Sequence, residues 1–456
     1  MAKVLKYKIT PHIQLILFHL GLGLGIYSFR SFSKLYLALV VLYFLLIVFI
    51  RGNRKDEVLY AAAYITGFEV FSRMTGGAIT YEFAKYAVIM FLGVGMFYRG
   101  FHRGSWPFVL FLLLLFPGII LSAINLNYGS ELFKAISFNL SGPTCLAISA
   151  LYCYQRKVPW RRMVEILTYI VYPLIGMTVY LFLYTPDLRD VLTSTESNFQ
   201  ASGGFGPNQV ATVLGLGMFV LFTRLLIINH RFLNLIDLAL LGFLSYRAIV
   251  TFSRGGVLTA AVCAGIFLII YFVRASTKDK AVTIPKLSLI GGLLVITWLA
   301  SSFFTGGFID KRYLNQDAAG REQEDLSTGR LELINSELEE FYAYPLTGIG
   351  VGKMKEVRQE RTGKTSATHN EISRLLSEHG LPGLLGLFVL VFTPAVLFLK
   401  DGSNPYLLPF IAFWFLTINH SSMRIAAPAF VYGLALLSLY REKKATLHRQ
   451  PISGQG

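Results

Sequence analysis

The chain has 456 residues, of which 54% are hydrophobic and only 15% charged, with a mean hydropathy of +0.55, too little polar surface to cover a soluble core of this size. Its net charge of +16 would point to nucleic acid in a soluble protein, but no basic face interleaved with aromatic residues occurs outside the apolar runs, so no nucleic-acid partner is expected. Cys145, Cys153 and Cys263 all lie inside apolar runs, and no Cys-x-x-Cys pair or Cys/His cluster occurs, which argues against a disulfide framework and a zinc site.

Fourteen apolar runs follow in chain order, at 12–29, 35–50, 58–73, 81–98, 106–123, 132–154, 163–184, 208–229, 234–251, 255–273, 287–305, 381–399, 405–418 and 425–440. Some are shorter than the roughly 20 residues that a bilayer usually needs, so an all-α integral membrane protein with about 12–14 transmembrane helices is expected. The first run follows Lys3, Lys6 and Lys8 without a small-residue cleavage site and reads as an uncleaved span. Cations gather in alternate connections: Arg51/Arg54/Lys55, Arg99/Arg103, Arg156/Lys157/Arg161/Arg162, Arg274/Lys278/Lys280/Lys286 and the tail Arg441/Lys443/Lys444/Arg449. This bias predicts that both termini are cytoplasmic.

One connection on the opposite side, 306–380, is too long for a simple loop and mixes ten Lys/Arg with thirteen Asp/Glu. Within it, 329–342 reads as a helix with Leu331, Ile334, Leu338 and Phe341 on one stripe and Ser327 or Thr328 as N-cap. Residues 369–379 read as a second helix behind a Thr368/Glu371 capping box, with Gly380 as C-cap and Pro382 opening the next span. The expected organisation is N-terminal transmembrane helices over 1–200, a catalytic region over 201–400 that includes the loop 306–380, and C-terminal helices with a basic tail over 401–456.

Three features on this side carry chemistry. Arg254, in SRGG at 253–256, lies at the mouth of a hairpin between two spans, where a charge near lipid must snorkel, pair, or face a ligand. Arg247, seven residues earlier, should project near the same face but deeper, and it reads as the only deep charge between 200 and 390. Arg330 opens the first loop helix, where it is either a solvated surface residue or, beside free backbone N–H groups, part of an anion site. His369-Asn370 falls at the first turn of the second loop helix, where the helix terminus and nearby arginines should keep the imidazole neutral. That histidine is either a surface residue or a general base for a hydroxyl. Arginines suit a phosphate or diphosphate leaving group. No Gly-x-x-x-x-Gly-Lys-Ser/Thr loop and no Asp-x-Asp pair is present, so neither ATP nor a metal-bound nucleotide sugar is implied, and no cofactor is expected.

The order SRGG (253–256), STGRLELINSELEEFYAYPLTGIGVGKM (327–354) and HNEISRLLSEHGLPGLLG (369–386), with GFGPNQVA (204–211) upstream, resembles the O-antigen ligase and polymerase superfamily. The resemblance implies a metal-independent inner-membrane glycosyltransferase with a large periplasmic loop. Its donor would be a glycan on undecaprenyl diphosphate, drawn from among the membrane lipids, and its acceptor a lipid- or glycan-linked hydroxyl. Arg254 and Arg330 would hold the diphosphate, His369 would activate the acceptor, and Arg247, Asn370, Asn208 and Arg424 are expected substrate contacts. The late acidic residue used by ligases of the family has no equivalent, since 405–440 holds no Asp or Glu; Asn419, His420 and Arg424 occupy that last outer loop. A polysaccharide polymerase or a protein O-oligosaccharyltransferase would share this chemistry, and a solute transporter is the reading from another class.

Overall fold

Apolar residues in runs too long for strands make a protein of helices, and a computed structural model describes that arrangement for residues 9–127, 131–322, 329–363 and 368–442. In chain order the helices are α1 (Ile9–Ser28), α2 (Ser31–Arg51), α3 (Glu57–Met74), α4 (Phe83–Arg99), α5 (Trp106–Asn125), α6 (Leu132–Cys153), α7 (Trp160–Tyr184), α8 (Pro207–Ile227), α9 (Arg231–Ile249), α10 (Arg254–Arg274) and α11 (Thr277–Phe304). Four shorter helices, α12 (Phe308–Tyr313), α13 (Arg330–Ala343), α14 (Lys353–Thr362) and α15 (Glu371–His379), fill the long connection. The chain then returns through α16 (Leu381–Lys400), α17 (Leu407–His420) and α18 (Ala426–Ala435). Among the described residues the only sheet is a parallel pair, β1 (Lys157–Pro159) with β2 (Ser438–Tyr440).

Each of the fourteen apolar runs forms a helix, although the last, 425–440, is helical only through Ala435 and ends in β2. Ten of these helices are long and apolar enough to cross a membrane. The remaining four are α3 and α4, of 18 and 17 residues, and α17 and α18, of 14 and 10 residues. α7, α8 and α18 are buried on nearly every face, and α18 carries no charged residue at all. α2, α5, α11 and α16 bury one face and expose Leu, Phe, Ile and Val on the other, as lipid-facing helices do. This is a multi-pass membrane protein.

Two ends of the bundle are tied differently. At one, Asp56 accepts from Arg99 at 3.0 Å and Arg162 at 2.5 Å, and the β1–β2 pair closes the chain beside them. At the other, Asn125 donates to the Ile349 carbonyl (3.0 Å), joining α5 to the 306–380 segment, and Arg189 donates to the Phe303 carbonyl (3.2 Å) near the end of α11.

Deep charges are more numerous than hydropathy suggests, and Arg247 is not alone between 200 and 390. Arg224 and Asp237 form a buried pair at 3.0 Å, and Arg224 also reaches His12 at 3.1 Å. Glu69, Arg73, Glu82 and Lys85 make a second buried group between α3 and α4. Such groups persist inside apolar helices because each finds a partner there, and being few in each helix they leave its mean hydropathy high.

Removing one member of the Arg224–Asp237 pair strands the other. Arg224→Met should cost about 3–5 kcal/mol and lower the unfolding midpoint in detergent, whereas Arg224→Met with Asp237→Leu should recover most of the loss. Equal midpoints for the single and double variants would show that the pair is not the cause.

Candidate active site

The hairpin between α9 and α10 is a tight reversal. Phe252 takes a left-handed backbone conformation (φ +61°), the Thr251 carbonyl accepts from Asn198 N (3.0 Å), and the Ser253 hydroxyl donates to Asn208 Oδ1 at 2.7 Å. The two glycines of SRGG then let α10 close on its neighbours. A Cβ at Gly256 would lie 2.1 Å from the Ala211 carbonyl oxygen on α8, and one at Gly255 would lie 2.7 Å from the His420 ring on α17. Arg254 is thereby fixed as the first residue of α10, half-buried at the bundle end.

Two more arginines converge on it. Arg254 donates to the Arg312 carbonyl (3.4 Å), and Arg312, on α12, donates through Nε to the Phe252 carbonyl (3.1 Å). Arg330 is the first residue of α13, behind Gly329 in a left-handed turn (φ +77°). Burial first and Arg254 second push the Arg330 pKa below the usual arginine range, and Arg312 is lowered by burial, Arg254 and Arg330 against the opposing pull of Glu196. Arg254, Arg312 and Arg330 therefore form one cationic set whose members repel each other. A bound anion with several oxygens would relieve that repulsion.

His369 follows on the chain side leading into α15. The helix begins two residues later than the capping box predicts. Asn370 is the N-cap, its Oδ1 accepting from Ile372 N (2.8 Å) and Ser373 N (3.1 Å). The Thr368 hydroxyl donates instead to Glu337 at 2.6 Å, and Glu371 is taken by Arg374. His369 thus sits just before the helix, with its side chain exposed and its backbone held by Ser422 N, which donates to the His369 carbonyl at 3.0 Å. Burial of part of the ring, then Arg424, Arg330, Arg358 and His420, hold its pKa down to about 4. The imidazole is neutral at physiological pH and can accept a proton.

On the side of Arg424 and Arg358 a cavity opens, of about 440 Å³, between α6 and α14. Phe138, Asn139, Gln359, Thr368, Arg358 and Arg424 line it. Arg424 donates to the Thr368 carbonyl at 2.5 Å and stacks on Phe138, 4.3 Å from the ring centroid. Its own backbone is tied down by α3: Arg73 donates to the Arg424 carbonyl (3.1 Å), and Glu69 accepts from Ala426 N (2.6 Å). Behind His369, Arg374 is buried between Glu371 and Glu378, and Arg358 pairs with Glu337.

Of the residues singled out in the sequence, Arg254, Arg330, His369 and Arg424 are brought into one electrostatic neighbourhood. Asn208 and Asn370 flank it with their side chains engaged in the framework, Asn208 with Ser253 and Asn370 with Asn419 (2.9 Å) as well as α15. Arg247 is not brought in. Helix α9 ends at Ile249 and the chain reverses before α10, so the two-turn spacing from Arg254 does not hold, and Arg247 points to Ala201 and Phe182. Arg312 and Arg358 join the site without a sequence signal, and His420 joins it from the last outer loop, where its place in the sequence marks it. Arg312 lies on a single six-residue turn, Arg358 is one of many cations in a polar helix, and His420 closes an apolar one. The predicted stripe on α13 also differs: Leu331 is exposed and the buried positions are Glu337 and Glu340, turned inward by Arg358 and Arg361. Its expected N-cap, Ser327 or Thr328, lies outside the described residues.

Residues 238–388, a span that contains Arg254, Arg312, Arg330, Arg358 and His369, match the family described as O-Antigen ligase, which supports the O-antigen ligase superfamily. Comparison with the curated proteins and with the solved structures finds no match.

The crowding of His369 by arginines has a measurable consequence. Its folded pKa lies below the unfolded value of about 6.5, so its contribution to stability is complete above that pH and is lost as pH falls through about 4. NMR titration of histidine-labelled protein, assigned with His369→Gln, should place the ring's midpoint near 4. A midpoint at or above the ordinary histidine value would mean that the arginines do not act on it.

Proposed function

We propose that this O-antigen ligase-type membrane protein transfers a glycan from undecaprenyl diphosphate to an acceptor hydroxyl at the periplasmic face of the inner membrane, without a metal ion. The observation that carries the reading is the placement of a neutral, exposed histidine with a cationic set on one side and a cavity of mixed charge on the other. One side is Arg254, Arg312 and Arg330, none of which forms an ion pair with a carboxylate among the described residues; the other is the cavity lined by Arg424 and Arg358.

The chemistry follows from that order. The diphosphate of the donor sits on the first side, so its glycosidic oxygen leaves toward Arg254, Arg312 and Arg330. The acceptor approaches from the cavity between α6 and α14. His369 takes the acceptor hydroxyl proton as the new C–O bond forms and the C–O bond to diphosphate breaks, so the anomeric carbon inverts. The arginines stabilise charge as it develops on the leaving diphosphate, where donors already in place act most strongly. The lipid anchor of the donor explains why such a site stands at the end of a membrane bundle. The charge bias of the connections supports a site outside the cytoplasm with both termini within it.

The test is transfer by purified full-length protein from defined undecaprenyl-diphosphate glycans to candidate acceptors, with products read by mass. Arg254→Ala and His369→Ala should each leave the unfolding midpoint within a few degrees of the parent. Each should slow transfer by at least about 100-fold, the size of losing one oxyanion donor or one general base. Normal transfer by the doubly substituted protein would rule out this mechanism.

A further inference from the structure

A second cavity in the site half of the bundle has no part in this chemistry. It holds about 510 Å³ between α7, α9 and α11, and its walls include Phe182, Leu188, Gly242, Tyr246, Leu293 and Phe304. No carboxylate lines it; its one charged wall residue is Arg247. Arg247 is 1% exposed and donates to the Ala201 carbonyl at 2.8 Å, with its guanidinium over Phe182, 5.2 Å from the ring centroid. Its Nε has no hydrogen-bond partner, and among the described residues no carboxylate pairs with it. A buried cation left in this condition is costly unless an anion comes from outside the chain.

The position of the cavity says where that anion comes from. Arg247 lies two residues before the end of α9, Phe304 is the last residue of α11, and Thr185, also on the wall, is the first residue beyond α7. Three helix ends therefore meet around the guanidinium, at the depth where a span leaves the hydrocarbon. From there the wall runs inward along Gly242, Ala239 and Leu293, one to two turns deeper. Phe243 and Ile296, on the same wall, are 55% and 65% exposed on the outer surface of the bundle, so the cavity opens sideways to lipid. The ligand that satisfies both halves is an amphiphile: an anionic head at Arg247 and a hydrocarbon chain below it.

A small apolar core separates this cavity from the candidate active site. Leu188 and Tyr246 of that core face the cavity, while Phe252, whose carbonyl holds Arg312, and Tyr313 face the arginine set. A donor held by its diphosphate at Arg254, Arg312 and Arg330 would begin its chain on the far side of this core. We propose that the α7/α9/α11 cavity is a binding site for an anionic glycerophospholipid of the surrounding leaflet, with the headgroup phosphate on Arg247 and one acyl chain in the Gly242–Leu293 groove. The site serves as a structural lipid seat beside the hairpin that carries Arg254, and it stands whether or not the proposed reaction is correct.

The experiment uses the full-length protein, delipidated in detergent and titrated separately with phosphatidylglycerol, phosphatidylethanolamine and undecaprenyl phosphate, with bound lipid counted by native mass spectrometry. The parent should retain one phosphatidylglycerol about 10-fold more tightly than phosphatidylethanolamine. Arg247→Leu removes the charge and Ala300→Phe fills the groove while leaving Arg247 in place; either should abolish that preference. Equal retention of the two phospholipids by the parent protein overturns the proposal without reference to any variant. So does undiminished preference in a folded Arg247→Leu protein. Tighter retention of undecaprenyl phosphate than of phosphatidylglycerol also overturns it, by making the cavity part of the donor site.

Discussion

Like charges are brought together at the mouth of α10 and have to be held there against their own repulsion. Two unit charges roughly 6 Å apart at an effective dielectric near 20 repel by about 3 kcal/mol, as much as many buried pairs gain. Backbone carbonyls do the holding: the Arg312 carbonyl takes Arg254 and the Phe252 carbonyl takes Arg312. A carboxylate in either place would bind more strongly but would neutralise the charge that the site presents. Carboxylates are used one layer back, where Glu337 pairs with Arg358, Glu371 and Glu378 flank Arg374, and Glu69 pairs with Arg73. The front arginines keep their full field and the rear ones become rigid struts.

Those struts fix backbone rather than side chains. Glu378 accepts from Gly352 N at 2.8 Å, Glu69 from Ala426 N, and Arg73 donates to the Arg424 carbonyl. Ser422 N in turn holds the His369 carbonyl. The segment 421–426 is therefore clamped between a membrane helix, α3, and the loop strand that carries His369. Through it the bundle sets the position of a residue that belongs to the 306–380 segment. The SRGG glycines do the same from the other side, by letting α10 approach α8 and α17 until Gly255, next to Arg254, packs on the His420 ring. A site assembled from four distant stretches of chain stays in register because each stretch is pinned by a buried polar bond that has no water to replace it.

Hydropathy made all fourteen apolar helices legible, since burial in lipid or in protein selects the same side chains, and the loop helices α13 and α15 showed through their local patterns. What failed in the sequence failed for tertiary reasons. Thr368 has the right spacing to cap α15, but Glu337 and Arg358, distant in the chain, are brought within hydrogen-bond reach of its hydroxyl and compete for it, and Asn370 caps instead. The α13 stripe held only in part: Ile334, Leu338 and Phe341 are half-buried, but Arg358 and Arg361 draw Glu337 and Glu340 deeper and Leu331 is left exposed. Arg254, Arg330 and His369 were visible because they sit at helix starts beside recognisable motifs. Arg312 was not, because a single turn after a span carries no periodicity from which a function can be read.

Arg247 and Arg254 show how little residue type and spacing decide without the backbone between them. They are seven positions apart, both near the ends of membrane helices, and continuous helix would stack them. The reversal at Phe252 sends them into different compartments, with the core of Leu188, Val250, Phe252 and Ile309 between. Arg254 has two other arginines for neighbours and water within reach, so it suits an anion that arrives and departs. Arg247 has a carbonyl, an aromatic face and an apolar groove, so any anion it holds must bring hydrocarbon with it and has little reason to leave. Exchange at one arginine and retention at the other both follow from the surroundings that a single strained residue separates.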